Sequence, residues 1–176
     1  PPPEEDLYEG VAFYLSLGDP EKALQALEEA EKKDPQSRET KQLMAEVLMI
    51  AGRMEEARDL LNELIKTDPH DVKALYHLAL VEGASLNTTK QKELLEQVLK
   101  IDPSHSEAQA AYGEILLRQK KLQDAEKAFS ASLQEDPNNL TALIGKGNLE
   151  LRQNKPKEAE ETLTRAIEVL PDYPFT

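Results

Sequence analysis

The chain has 176 residues and no cysteine, which excludes a disulfide framework and a thiolate metal site and leaves both a cytoplasmic and a periplasmic or cell-envelope setting open. Apolar residues make up 39% and aromatics 5%, with no tryptophan, so the chain rests on alanine and leucine, which favour helix, and not on a bulky aromatic core. The formal charge of −13, from 34 acidic and 21 basic residues, argues against a nucleic-acid partner, which needs clustered lysine and arginine, and no stretch approaches the ~20 apolar residues required for membrane insertion.

In chain order, Pro1-Pro2-Pro3-Glu4-Glu5-Asp6 comes first, with no basic and apolar leader, and reads as a linker or a mature start. Gly18 fits a helix C-terminal turn, where positive φ is free of Cβ strain. Asp19-Pro20 then has the form of an N-cap followed by proline at the first helical position. Asp34-Pro35 stops that helix, because proline cannot continue it. Beyond it, Leu43, Met44, Val47, Leu48 and Ala51 form one helical stripe, Gly52 breaks it, and Ala57, Leu60, Leu61, Leu64 and Ile65 form another. Each block is about 13 residues, a helix of roughly 20 Å.

Asp68-Pro69 opens the next stretch, whose inner turn, Ala84-Ser85-Leu86-Asn87-Thr88-Thr89, has no glycine. Thr88 and Gln91 have capping-box spacing there, and a distorted turn is expected. Asp102-Pro103 precedes Ser104 and Glu107, which have the same capping spacing. Asp136-Pro137 follows, then a final helix from about Lys157 to Leu170, ended by Pro171. The prolines at 35, 69, 103, 137 and 171 are each 34 residues from the last. A fixed period of this length marks a repeat architecture.

The pattern resembles the tetratricopeptide repeat. The resemblance covers 4–37, 38–71, 72–105, 106–139 and 140–173. Position 20 of the unit is small in that family, as at Ala23, Ala57, Ala125 and Ala159, and position 24 is large and apolar, as at Leu27, Leu61, Leu95, Phe129 and Leu163. Position 8 is small at Ala45, Ala79, Gly113 and Gly147, with Val11 in the first unit. A small residue suits a close helix crossing, and a large one fills the space beside it. Departures are Gln91, Glu82 and the glycine-free turn in the third unit, and Lys146 and Glu150 in the fifth. The resemblance implies an all-α fold: a right-handed α-solenoid of five stacked helix-turn-helix repeats in a single domain, 1–176, with first helices lining a concave groove. Family ligands are peptide segments or partner domains lying in that groove.

Catalytic and metal chemistry find little support. His70, His77 and His105 have no i, i+3 or i+4 partner, so no metal site is expected. No Gly-x-Ser-x-Gly elbow occurs. Gly145-Lys146-Gly147 lacks the hydroxyl and the preceding strand of a phosphate loop and reads as two close-packing glycines. Pairs such as Glu28-Glu29 and Glu160-Glu161 belong on solvated faces, not in a water-poor cleft. No enzyme activity and no cofactor are expected. Asn87-Thr88-Thr89 and Asn139-Leu140-Thr141 match the glycosylation sequon, but turn chemistry is the better reading.

With the family geometry, the groove receives Tyr8, Ala12 and Leu15 from the first unit, and Glu39, Gln42, Glu46, Met49 and Ile50 from the second. It receives Lys73, Tyr76, His77 and Leu80 from the third, Glu107, Glu114, Leu117 and Arg118 from the fourth, and Thr141, Ile144, Asn148, Leu151 and Arg152 from the fifth. Tetratricopeptide co-chaperones hold a C-terminal carboxylate with lysine, asparagine and arginine at fixed groove positions. Started at the first unit, that pattern meets Tyr8, Ala12, Leu43, Lys73 and His77, and only one position agrees. A start at the second unit meets Glu46 and Glu107, which would repel the carboxylate, and a start at the third meets Tyr76, Leu80, Ala111, Thr141 and Gly145, with none of the required residues. The chaperone-tail clamp is therefore rejected. The apolar ribbon with glutamates through its middle suits an apolar helix or extended protein segment carrying lysine or arginine.

The leading reading is a protein–protein interaction scaffold or adaptor. The alternatives are a regulatory or targeting domain of a larger enzyme or chaperone, which the triple-proline start favours, and a self-assembling structural protein. Leu163, Ala166, Ile167 and Leu170 are expected to leave an apolar strip on the last helix, open to end-to-end self-association.

Overall fold

The computed structural model describes residues 7–170. Among the described residues there are ten helices and no strand: α1 (Leu7–Ser16), α2 (Pro20–Lys33), α3 (Arg38–Ile50), α4 (Met54–Thr67), α5 (Val72–Ala84), α6 (Thr88–Ile101), α7 (Ser106–Arg118), α8 (Leu122–Glu135), α9 (Leu140–Arg152) and α10 (Pro156–Val169). From α2 onward each has 13 or 14 residues, as the two-stripe pattern requires. The triple proline, Pro171 and the last residues lie outside the described part.

Three local devices recur every 34 residues and explain why the elements begin and end where they do. The Asp before each proline accepts a hydrogen bond from the backbone two residues on: Gln36 N–H to Asp34 (3.1 Å), His70 N–H to Asp68 (3.0 Å), Ser104 N–H to Asp102 (3.1 Å) and Asn138 N–H to Asp136 (3.0 Å). Such turns turn the chain back without a long loop. One residue beyond, Ser37, Asp71, His105 and Asn139 cap α3, α5, α7 and α9, each accepting from the backbone N–H three residues on. The cap of α7 is therefore His105 and not Ser104, whose hydroxyl donates to Asp102 at 2.8 Å. Asp19 caps α2 with Pro20 in its first turn, as read from the sequence.

The third device is a left-handed residue at the turn within each repeat: Gly18 (φ 70°), Gly52 (75°), Leu86 (61°), Lys120 (60°) and Asn154 (60°). The third turn is consequently not distorted. Leu86 N–H donates to Gly83 O at 3.0 Å and Asn87 N–H to Glu82 O at 2.8 Å, as Gly52 N–H does to Met49 O (3.1 Å) and Arg53 N–H to Leu48 O (2.9 Å). Leu86 accepts a conformation that disfavours a side chain, and that side chain is 88% exposed. Thr88 is the first residue of α6 and not its cap.

The chain divides after Asn87 into two compact units. In the first, consecutive helices from α1 to α5 pack in turn, burying Val11, Leu24, Leu27, Leu48, Leu61, Leu64, Leu75 and Leu78. Arg38 ties the α3–α5 side together. It pairs with Asp71, donates to Leu64 O at 3.1 Å and to Thr67 at 2.9 Å, while Gln42 also donates to Asp71 at 2.8 Å. Burial would push the Asp71 carboxyl up, but the bonds from Ala74 N–H, Arg38 and Gln42 outweigh it and hold its pKa below the usual range.

In the second unit α6 packs on α7, α7 on α8 and α9, α8 on α9, and α9 on α10. Phe129 is fully buried, and a Cβ added at Gly113 or Gly145 would fall 2.7 or 2.4 Å from its ring. Gly147 stands in the same relation to Leu163, at 2.6 Å. The small position 8 thus lies against the large position 24 within one repeat, as expected. On α10 the apolar strip is narrower than the sequence suggests: Ala166 is buried and Leu163 half-buried, leaving Ile167 and Leu170 exposed.

Candidate functional site

First helices carry the residues expected in a groove, and each unit holds its own set. In the first unit these come from α1, α3 and α5. Tyr8 and Ile50 are 48% and 63% exposed, Ala12 is exposed, and Leu15, Met49, Tyr76, His77 and Leu80 are half-buried. The Tyr76 and His77 rings lie 6.0 Å apart. Much of the polar complement is already engaged within the chain. The Tyr8 hydroxyl donates to Glu39, and Gln42 belongs to the Asp71 network. Lys73 Nζ lies 2.7 Å from Glu46 Oε1, an ion pair that is not an aligned hydrogen bond. The acidic character foreseen for this face is thus partly neutralised by Lys73, while the Tyr8 hydroxyl bonds Glu39 without removing its charge.

In the second unit α7 and α9 enclose a concave pocket of about 460 Å³ lined by Glu114, Leu117, Arg118, Gly145, Asn148, Leu151 and Arg152. All of these except Gly145 belong to the expected groove set. Leu117 is the exception in exposure, because at 7% it forms the floor of the pocket and not its surface. Leu151 is 51% exposed, an apolar contact on the wall. Arg152 is fixed from below by Leu117 O at 3.4 Å. Partial desolvation pushes the Glu114 carboxyl up, and the neighbouring Arg118 opposes that shift. Two arginines against one glutamate leave the pocket with a formal charge of +1, opposite in sign to the whole chain. Ile144 is 41% exposed, while Glu107, at the start of α7, lies 3.2 Å from His105 Nδ1.

A second hollow of about 480 Å³ is lined from α6, α7 and α8 by residues that include Leu99, Tyr112, Leu116, Lys121 and Asp124. The Tyr112 hydroxyl donates to Glu96 at 2.8 Å, and burial with that carboxylate pushes its pKa up to about 12. None of the expected groove residues borders it. The period-34 pattern contains no signal for this hollow, since it depends on how α6 packs on α7.

The model for the tetratricopeptide repeat matches residues 14–80 and 116–174, and a second model of the same repeat matches residues 92–139. The chain is a tetratricopeptide-repeat protein. A comparison with curated protein sequences finds no match. Among solved structures, this repeat protein is similar to a thermophilic tetratricopeptide-repeat protein of Thermus thermophilus (TM-score 0.77, 19% identity, 94% of this chain and 90% of that one). It is likewise similar to MamA of Desulfovibrio magneticus (TM-score 0.72, 21% identity, 93% and 92%). A third similar structure is YrrB, described as having an unusual peptide-binding site (TM-score 0.64, 20% identity, 93% and 84%). At these identities the likeness establishes the all-α tetratricopeptide-repeat solenoid fold and nothing finer. No helix among the described residues is long and apolar enough to cross a membrane.

Proposed function

We propose that this protein is a scaffold or adaptor that binds a partner peptide or helix along the faces of its first helices. The observation that carries the reading is the α7–α9 pocket, because an apolar wall (Leu151), an apolar floor (Leu117) and two arginines converge there. A few placed charges around apolar anchors give a segment both affinity and orientation. An acidic partner residue would seat between Arg118 and Arg152. Tyr76 and Leu80 on α5 supply anchors in the other unit, where Glu39, bonded by the Tyr8 hydroxyl but still charged, favours lysine or arginine in the ligand. YrrB, with its peptide-binding site, is a precedent for a chain of this fold taking a peptide.

The test begins with peptides selected from a random library on the intact chain. Binding of such peptides should weaken by roughly 1 kcal/mol or more on Leu151→Asp or on the double change Tyr76→Ala, Leu80→Ala, as for truncated anchors in general. Peptides indifferent to both changes but lost on substitutions in α4, α8 or α10 would place binding on the second helices and reject the proposal.

A further inference from the structure

Two of the repeats carry a glutamate where the second and fourth carry leucine and the first carries Tyr14, and the two are served differently. Glu82 on α5 and Glu150 on α9 are 68 residues apart, two repeats, and both are buried, at 7% and 8% exposure. The corresponding residues of the second and fourth repeats are Leu48 and Leu116. Glu82 has a full set of donors. Arg58 Nε from α4 reaches its Oε1 at 2.8 Å, and Asn87 Nδ2 reaches its Oε2 at 2.9 Å. The same arginine also donates to Ser85 at 2.7 Å.

Around Glu150 none of these three residues is kept, and the arginine register is held by an acceptor. Glu126 on α8 stands at the register of Arg58, Gln153 at that of Ser85, and Lys155 at that of Asn87. The backbone is unchanged: Lys155 N–H donates to Glu150 O at 2.9 Å, as Asn87 N–H does to Glu82 O. The side chains are not. Glu150 Oε2 and Gln153 Oε1 are both buried and have no hydrogen-bond partner, and Gln153 spends its amide on Glu126 at 3.3 Å. Lys155 is exposed, Lys146 lies one turn earlier on α9, and neither makes an ion pair among the described residues. The result is two buried acceptor atoms, Glu150 Oε2 and Gln153 Oε1, that no donor reaches.

Buried acceptors without donors are costly, and a buried carboxylate most of all. A guanidinium supplies what is missing: a positive charge, five donors and no acceptor, in a planar fork that matches a carboxylate. The first unit shows the arrangement completed by the protein's own Arg58. We propose that Glu126, Glu150 and Gln153 form a receptor for an external guanidinium group, an arginine side chain of a partner or a free small guanidine, entering past exposed Glu126 and half-buried Gln153. The site involves α8, α9 and the turn after α9, and is independent of the α7–α9 pocket.

The test is titration of the full ¹⁵N-labelled chain with N-acetyl-L-arginine amide, free L-arginine and N-acetyl-L-lysine amide. The expected result is saturable movement of the Gln153 side-chain amide and the Lys155 backbone amide, with a Kd on the order of 1 mM for the arginine amide, and binding at least roughly fivefold weaker for the lysine analogue. Glu126→Arg rebuilds the internal pair, so it should raise the melting temperature and abolish the response. Glu126→Gln keeps the shape and should weaken binding several-fold, which preserves the test if the arginine variant does not fold. A preference for the capped amide over free arginine identifies a protein arginine as the source, and the reverse preference identifies a small guanidine. An equal response to the lysine analogue, no saturable response at Gln153, or an undiminished response in Glu126→Gln would overturn the proposal.

Discussion

Replacing Gly145 by alanine isolates the contact on which the second unit's packing depends. The added Cβ would stand 2.4 Å from both Cε1 and Cζ of Phe129, whereas non-bonded carbons prefer about 3.5–4.0 Å. The ring therefore has to retreat by more than an ångström, and it has no room to do so. Phe129 is fully buried, and Gly113 closes the other approach with a Cβ position 2.7 Å from the same ring. Two terms oppose each other. Alanine gains about 1 kcal/mol over glycine in a helix interior, and overpacking a filled core costs about 1–3 kcal/mol, occasionally more. With no side-chain retreat available, we expect the upper part of that range and a net loss of about 1–2 kcal/mol. In urea, followed by circular dichroism, that loss lowers the midpoint by about 0.5–1 M. Adding Phe129→Leu should make the alanine tolerable, so the double variant should lose at least ~1 kcal/mol less than the sum of the singles. Gly147→Ala is the internal control. Its Cβ would stand 2.6 Å from both Cγ and Cδ2 of Leu163, but Leu163 is only half-buried and can move outward, so the change should destabilise less than Gly145→Ala. A stabilised Gly145→Ala, or additivity with Phe129→Leu, would refute the clamp.

Further outcomes follow from other contacts. Leu86→Gly should stabilise the chain by up to about 1 kcal/mol, since it relieves a left-handed residue whose side chain is already in water; a loss in the urea midpoint would contradict this. Arg58→Met should cost about 2–4 kcal/mol by stranding Glu82, while Arg58→Leu with Glu82→Leu should be close to neutral, because Leu24 and Leu48 already occupy these registers one repeat earlier. The folded-state pKa of Asp71 lies below its unfolded value of about 3.9, so its contribution is present above that value and is lost as pH falls through the folded pKa. The stability advantage of the wild type over Asp71→Asn should accordingly shrink below about pH 4, and a pH-independent difference would count against it. Light scattering over a concentration series should show association that Ile167→Glu reduces, if the exposed Ile167 and Leu170 face holds a second copy; a monomer at every concentration would dismiss that contact.

The repeat was legible because its punctuation is written in single residues. Asp-Pro marks each turn between repeats, and alanine or glycine stands at positions 8 and 20 everywhere except Val11 and Gln91, so the period, the helix lengths and the Gly113–Phe129 contact follow directly. The capping series was harder to read, because Ser37, Asp71, His105 and Asn139 share a register and a function but no side-chain type. Aligning the four turns at their prolines would have revealed it. The third turn keeps its backbone without glycine, because the Leu86 side chain sits in solvent and leaves the left-handed conformation intact. On α7 and α9, six of the residues assigned to the groove from the sequence line one pocket. What the sequence did not disclose was which of the polar groups are already spent. Gln42, Glu46 and Lys73 are engaged by residues 27 or more positions away, and no local pattern encodes such pairs. The contrast between Glu82 and Glu150 has the same origin, since each depends on the residue that a preceding helix brings to it.

The central claim, that first helices present the partner surface, is tested most directly by photo-crosslinking. A benzophenone side chain placed singly at Leu80, Leu151, Glu63 or Glu160 would be exposed to a library-selected peptide and irradiated. The account predicts adducts from Leu80 on α5 and Leu151 on α9, suppressed by excess unlabelled peptide, and none from Glu63 on α4 or Glu160 on α10. Adducts confined to Glu63 and Glu160 would contradict it.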